Sequence, residues 1–238
     1  MPIPTPSLER RRIVAALPAV SVVVAVPGAL ALPVSRVARA AQAQSGPAGA
    51  EAGARLVASP SQTEGPFYPR DWEGDVDNDL VKVDGEDARA LGEVLLLHGR
   101  VLDLAGQPIA GATIEIWQCD AQGVYRHPRD ERGERRRDAA FQGRGRTISD
   151  AAGRYRFRTI RPVPYGGRTP HIHFRVQPRD REMLVTQMYV FGEPRNARDG
   201  VLNSIRDPRQ RDSVIVRLEP ADRLEKDAIT GTFDIVLG

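Results

Sequence analysis

Residues Gly153–Thr159 alternate without interruption, with Tyr155, Phe157 and Thr159 on one side and Arg154, Arg156 and Arg158 on the other. Successive side chains of a strand point to opposite faces, so this segment can bury one face and wet the other only as a β-strand. The same pattern recurs along the chain. Val94–Leu102 is a long apolar run that ends in a hairpin signal, Ala105-Gly106-Gln107-Pro108, and Ala112–Trp117 alternates again before a turn at Asp120–Gly123. Further strands are expected at Leu184–Phe191, Val214–Leu218 and Thr232–Leu237, with helix limited to a turn around Asn196–Ile205. The 22 glycines and 19 prolines are scattered at turn positions and form no repeat. Short strands separated by turns predict an all-β fold, an antiparallel sandwich with long loops.

Charge divides the chain unevenly. Residues 1–43 hold five arginines against Glu9 alone, a net of +4, whereas the whole chain is +3, so the remainder is close to neutral at −1. A nearly neutral body excludes nucleic-acid binding, which needs a basic patch interleaved with aromatics. Arg10–Arg12 precede an apolar run from Ile13 to Val34 and then small residues at Ala38–Ala43. That order predicts an export signal over 1–43, of twin-arginine character, and a periplasmic or secreted protein with no stable membrane insertion after cleavage. The run is long enough for the rival reading, a membrane anchor, but Pro18, Pro27-Gly28 and Pro33 interrupt it. Residues 44–62, rich in Ala, Gly, Ser and Pro, read as a flexible linker, and 63–238 as the functional domain.

Candidate chemistry centres on Tyr165-Gly-Gly-Arg-Thr-Pro-His-Ile-His173. His171 and His173, two apart in a strand pattern, share one face, while Ile172, Phe174 and Val176 face a core. By itself a His-x-His pair is more often an ordinary strand with two outward polar residues than a metal site. Tyr165 lies in a Pro/Gly-rich turn upstream, and Tyr125 ends another strand-and-turn unit. The other histidines carry less: His98 reads as a structural strand residue, and His127, in the charged loop Arg126–Arg137, as solvent-exposed. That loop reads as solvated, with attraction of an anionic substrate as the minor alternative. The single cysteine, Cys119, cannot form an internal disulfide and reads as a small half-buried residue, not a catalytic thiol.

At these residues the chain resembles the intradiol ring-cleaving catechol dioxygenases, most nearly their protocatechuate-cleaving branch. The resemblance runs from residue 63 to the C-terminus through Thr63-Glu-Gly-Pro-Phe-Tyr-Pro69, Ile116-Trp-Gln118, Gly123-Val-Tyr125, Asp150-Ala-Ala-Gly153, Pro162-Val-Pro-Tyr165, His171-Ile-His173, Thr186-Gln-Met-Tyr189 and Phe233-Asp-Ile-Val-Leu237. It implies a prealbumin-like sandwich holding non-haem Fe(III) through Tyr125, Tyr165, His171 and His173. Tyr125 and His173 would be equatorial, Tyr165 and His171 axial. It further implies that Arg168 lies beside the substrate ring, that Gln187 lies over it, and that Thr63–Pro69 runs along the active-site side. Phenolate is a hard anionic donor suited to a trivalent ion, and no acid lies between Pro162 and Gln177 to complete a two-histidine, one-carboxylate ferrous site. The implied reaction takes O2 and protocatechuate or a related catechol, opens the ring between the hydroxylated carbons, and gives a cis,cis-muconate. A homo-oligomer is compatible with this family. Bulky residues often follow the tyrosine where this chain has Gly166-Gly167, so a more open pocket wall is expected.

Two other readings compete. An exported, non-enzymatic prealbumin-type binding or spacer sandwich would explain Gly99–Thr113 and Asp150–Phe157, but has no need of two tyrosines and two histidines together. An extradiol or other ferrous oxygenase lacks its carboxylate.

Overall fold

The computed structural model describes residues 56–130 and 136–238. The expected leader, residues 44–55 of the expected linker and the centre of the charged loop lie outside these residues. Among the described residues no helix is long and apolar enough to cross a membrane.

Two five-stranded sheets make up the domain. In the first, β1 (Val94–Asp103) pairs antiparallel with β4 (Arg154–Ile160) along one edge. Its other edge is shared by β9 (Ile229–Thr232) and β10 (Ile235–Leu237), both parallel to it, and β8 (Glu219–Pro220) pairs with β9. The second sheet runs β3 (Arg144–Ile148), β2 (Thr113–Trp117), β5 (His171–Gln177), β6 (Leu184–Val190) and β7 (Ile215–Val216). Helix is confined to two 3₁₀ turns at Pro194–Arg198 and Leu202–Ser204 and one α-helical turn at Pro208–Ser213.

The alternation read from the sequence determines which residues fill the space between the sheets. Tyr155, Phe157 and Thr159 of β4 and Leu95, Leu97 and Val101 of β1 point inward and are buried. Ile114, Ile116, Ile172, Phe174, Val176 and Met188 of the second sheet meet them. Phe174 bridges the layers, edge-on to Tyr155 at 6.1 Å and to Phe233 at 5.0 Å. Each such apolar side chain contributes about 1.5–3 kcal/mol when fully buried.

The helical turn at Pro208–Ser213 and the short β8 lie outside the expected elements, and two further differences have a visible cause. The single strand expected at Thr232–Leu237 is two pieces, because Phe233 and Asp234 bulge out of the ladder: the Phe233 carbonyl accepts the buried Tyr155 hydroxyl at 2.5 Å, and Asp234 Oδ1 accepts the Arg100 amide at 2.8 Å. β3 carries no hydrophobic alternation, and only its pairing with β2 makes it a strand. Residues 56–62, read as the end of the linker, run along the domain, with backbone hydrogen bonds from Leu56 to Leu104, Ser59 to Val236 and Gln62 to Val185.

The second sheet is covered on both faces. Its outer face lies under residues 62–72 and the loops after β2 and β4. A second apolar cluster forms there from Trp117, Cys119, Tyr125 and Val185, with Phe67, Tyr68, Val163 and Tyr165 against it.

Candidate metal centre

Strand register assembles the floor of the site. Trp117 on β2, His173 on β5 and Gln187 on β6 are register partners, and His171 pairs with Tyr189. All five side chains therefore share the outer face of the second sheet. Both imidazoles are 1% exposed, so this face is a covered interior and not a wet surface.

Two loops complete it. After β2, the Asp120 carboxylate accepts the amides of Gln122 and Val124, both at 2.9 Å, and the Asp138 amide at 2.7 Å. Asp130 accepts the Tyr125 amide at 2.7 Å, which sets Tyr125 at the end of this turn. After β4, Gly166 and Gly167 adopt φ of 51° and 85°, and the Arg168 amide donates to the Tyr165 carbonyl at 2.7 Å. Two successive positive φ values are the geometry of a tight reversal that glycine alone adopts without strain. The glycine pair thus folds Arg168 back beside Tyr165, and nothing lies within 4 Å of where a Cβ would stand at either position.

The four candidate ligands meet in one ring of contacts. Ring centroids lie 4.8 Å apart for Tyr125–Tyr165, 5.5 Å for Tyr165–His171, 4.8 Å for His171–His173 and 6.2 Å for Tyr125–His173. The two Nε2 atoms are 3.2 Å apart, compatible with two nitrogens sharing one ion. His171 Nδ1 donates to the Thr169 carbonyl at 2.6 Å, which leaves its Nε2 as the lone-pair nitrogen. The His173 ring stacks on Trp117 at 4.8 Å and 7°.

Electrostatics favour the same use. Burial, then the Arg168 charge, lowers His171 to about 4, and burial, His171 and Arg168 hold His173 well below its usual value. Both imidazoles are neutral donors at pH 7. Burial raises Tyr125 well above the ordinary phenol value and raises Tyr165 less. The Tyr165 hydroxyl influences the acidity of Tyr125, but no hydrogen bond of good geometry joins them, and among the described residues the buried Tyr125 hydroxyl has no hydrogen-bond partner. A phenol oxygen enclosed beside two neutral imidazoles is a site for a cation that displaces the phenolic proton. This donor set, two hard phenolates and two borderline nitrogens, fits Fe(III).

Arg168 and Gln187, expected over the site, are joined to each other by a 2.8 Å hydrogen bond from Nη2 to Oε1. The Thr63–Pro69 segment, expected along the active-site side, supplies further neighbours, and Gln62 was not singled out from sequence. Phe67 stacks on Tyr125 at 4.8 Å and tilts against Tyr165 at 5.9 Å, capping both phenols. Tyr68 anchors that cap by donating to the buried Glu115 at 2.8 Å. Gln62 donates to the Tyr189 hydroxyl at 2.8 Å, and its own oxygen accepts the Gln187 amide at 3.0 Å. The ordered motif Thr63–Pro69 was the available signal for the cap; nothing local marked Gln62.

Two expectations are corrected. His127 is 2% exposed, not solvated, because Phe67 of the cap covers its ring at 5.6 Å, and its Nδ1 accepts the Arg129 amide at 3.1 Å. Cys119 is fully buried, not half-buried, and burial pushes its thiol up to about 12, an unreactive state.

Comparison with known proteins agrees in extent with the described domain. A family model described as Dioxygenase matches residues 63–238. The chain is 38% identical over 180 residues to the protocatechuate 3,4-dioxygenase beta chain of Burkholderia cepacia, covering 72% of this chain and 76% of that protein. It is 34% identical over 155 residues to catechol 1,2-dioxygenase of Acinetobacter baylyi, covering 58% of this chain but only 48% of that enzyme. Among solved structures, the dioxygenase domain of a dioxygenase–carbohydrate-binding fusion from Streptomyces sp. SirexAA-E superposes with a TM-score of 0.57 at 31% identity, over 76% of this chain and 98% of that domain.

Proposed function

Because this chain belongs to the intradiol dioxygenase family, we propose that it is a non-haem Fe(III) enzyme that opens a catechol ring between its two hydroxylated carbons, adding both atoms of O2 to give a cis,cis-muconate. The observation that carries the reading is the meeting of Tyr125, Tyr165, His171 and His173 in one buried cluster. The 38%-identical relative named for protocatechuate supports that catechol or a near analogue as substrate.

Tyr125, Tyr165, His171 and His173 would hold the ferric ion, whose Lewis acidity would activate a bound catechol toward O2. The remaining work falls to the protein. A catechol that binds as a dianion must shed two protons: the Tyr165 oxygen, a phenolate while it holds the ion and the less enclosed of the two tyrosines, would accept one, and solvent water the other. Arg168 places a fixed positive charge close enough to influence both Tyr165 and His171, where it offsets negative charge developing on the ring. Gln187, held at its backbone by Gln62 and at its amide by Thr63, limits how the ring lies. Phe67, stacked on the Tyr125 ring, keeps bulk water from it.

Iron analysis and O2 uptake test this together. The purified protein should carry about one ferric ion per chain, show a visible phenolate-to-metal band, and consume O2 with one of protocatechuate, catechol or hydroxyquinol. His173→Ala should lose iron and colour together. A protein that takes up no iron, or that takes it up and consumes no O2 with any of the three, would sink the proposal.

A further inference from the structure

Arg168 is held by a residue far along the chain. Asp199, between β6 and β7, has a side chain with no exposed surface, and its Oδ2 accepts Arg168 Nε at 2.7 Å and the Thr169 amide at 3.0 Å. Its Oδ1 accepts the amides of Val201 and Leu202 at 3.1 and 2.9 Å. Four donors satisfy a carboxylate that burial alone would make costly. The other edge of the guanidinium is fixed by Gln187 Oε1, which also accepts the Tyr189 hydroxyl at 3.1 Å. The fork is thus gripped at Nε and at Nη2, from two different elements.

We propose that Asp199 is a positioning residue, holding the Arg168 guanidinium in the one orientation that serves ring cleavage. The inference rests on the proposed reaction. An arginine beside an anionic substrate, left free, swings to pair with whichever oxygen is nearest and settles on the ground state. Clamped to a buried carboxylate, it keeps its charge where charge develops during reaction, with no reorganisation at that moment. The two oxygens of Asp199 divide the labour. Oδ1 accepts the amides of Val201 and Leu202 at the start of the 3₁₀ turn Leu202–Ser204, a structural task, while Oδ2 faces Arg168. Asp199→Asn can keep the first contact through its amide oxygen but loses the ionic acceptor for Arg168. Thr169 adds a second route, since its carbonyl orients His171, so turnover must be expressed per bound iron.

The experiment is a double-mutant cycle on the iron-loaded full chain, with Asp199→Asn, Arg168→Ala and the pair. The substrate is whichever of protocatechuate, catechol and hydroxyquinol gives the fastest uptake. Asp199→Asn should retain iron, keep anaerobic substrate affinity within about threefold, and lose kcat per iron by about tenfold or more, short of the ~10²–10³ that deleting a charge-stabilising donor costs. In the Arg168→Ala background the same change should lower kcat by less than about twofold, because residues acting through one contact are non-additive. Wild-type kcat in Asp199→Asn, or losses that multiply in the pair, would overturn the inference while leaving ring cleavage standing. An iron-loaded wild type inactive on all three catechols overturns the reaction and this inference with it. If Asp199→Asn does not fold, Arg168→Lys decides: one ammonium cannot reach Asp199 and Gln187 as a fork does, so kcat per iron falls, and an unchanged value overturns the inference.

Discussion

Tyr125 and Tyr165 are chemically alike and differently housed. Tyr125 is 2% exposed, its amide tied to Asp130 and its ring under Phe67. Tyr165 is half-buried and is followed by two glycines with empty space beside them. Tyr165 is thus the less enclosed of the two, and the proposed reaction assigns proton acceptance to it. Tyr165→Phe should therefore keep much of its iron through the other three side chains and lose turnover by about 10²-fold or more, the size of a general-base contribution. Iron content and O2 uptake check this. Adding substrate anaerobically should reduce the visible phenolate band in the wild type and leave it unchanged in the variant. Turnover at the wild-type rate would leave Tyr165 a structural residue only.

At the scale of elements, the junction of β1, β4 and the bulge between β9 and β10 holds the first sheet together. Gly99 lies where this junction is tightest. A Cβ there would stand 1.9 Å from the Phe233 carbonyl oxygen and 3.0 Å from the Tyr155 hydroxyl. Those two groups form the hydrogen bond that stabilises the bulge. Gly99→Ala must push the bulge off β1 and break that bond, so it should cost about 3 kcal/mol or more, overpacking and an unsatisfied buried carbonyl combined. Urea denaturation measures it, and a loss under about 0.5 kcal/mol would mean that the β9–β10 bulge does not press on β1. The candidate site lies on the other sheet, so the iron content of the folded variant should be unchanged.

For the molecule as a whole, the buried phenol of Tyr155 makes stability depend on alkaline pH. Burial, and then the nearby Asp234 charge, raises Tyr155 well above the ordinary phenol value of about 10. The folded state keeps the proton while the unfolded chain releases it, so this contribution is complete below pH 10 and lost as pH rises above it. The slope for one such group is about 1.4 kcal/mol per pH unit. Tyr155→Phe should be less stable at neutral pH, having lost its bond to Phe233. Above pH 10 its stability should decline less steeply than the wild type's by about that slope. Equal slopes measured by urea titration across this range would show that Tyr155 ionises freely in the folded state.

Alternation alone made most of the sandwich legible. Tyr155-Arg-Phe-Arg-Thr159 and His171-Ile-His-Phe-Arg-Val176 each assign one face inward, and those inward residues form the observed core. The resemblance carried by motif order also marked Tyr125, Tyr165, His171, His173, Arg168 and Gln187 as a set, because an ordered series of short motifs is visible in the sequence itself. Position in three dimensions was a different matter. β3 has no local signal and exists through its pairing with β2. The bulge at Phe233 depends on Gly99 and Tyr155, more than 70 residues away. His127 looked wet because burial comes from a distant segment, the cap at Phe67. Asp199 sits in an unremarkable loop, and only the meeting of that loop with Arg168 and Thr169 turns an ordinary carboxylate into the partner of the site's one arginine fork. Periodicity is a property of neighbours in the chain and can be read there, whereas these contacts join residues far apart in sequence and are decided by packing.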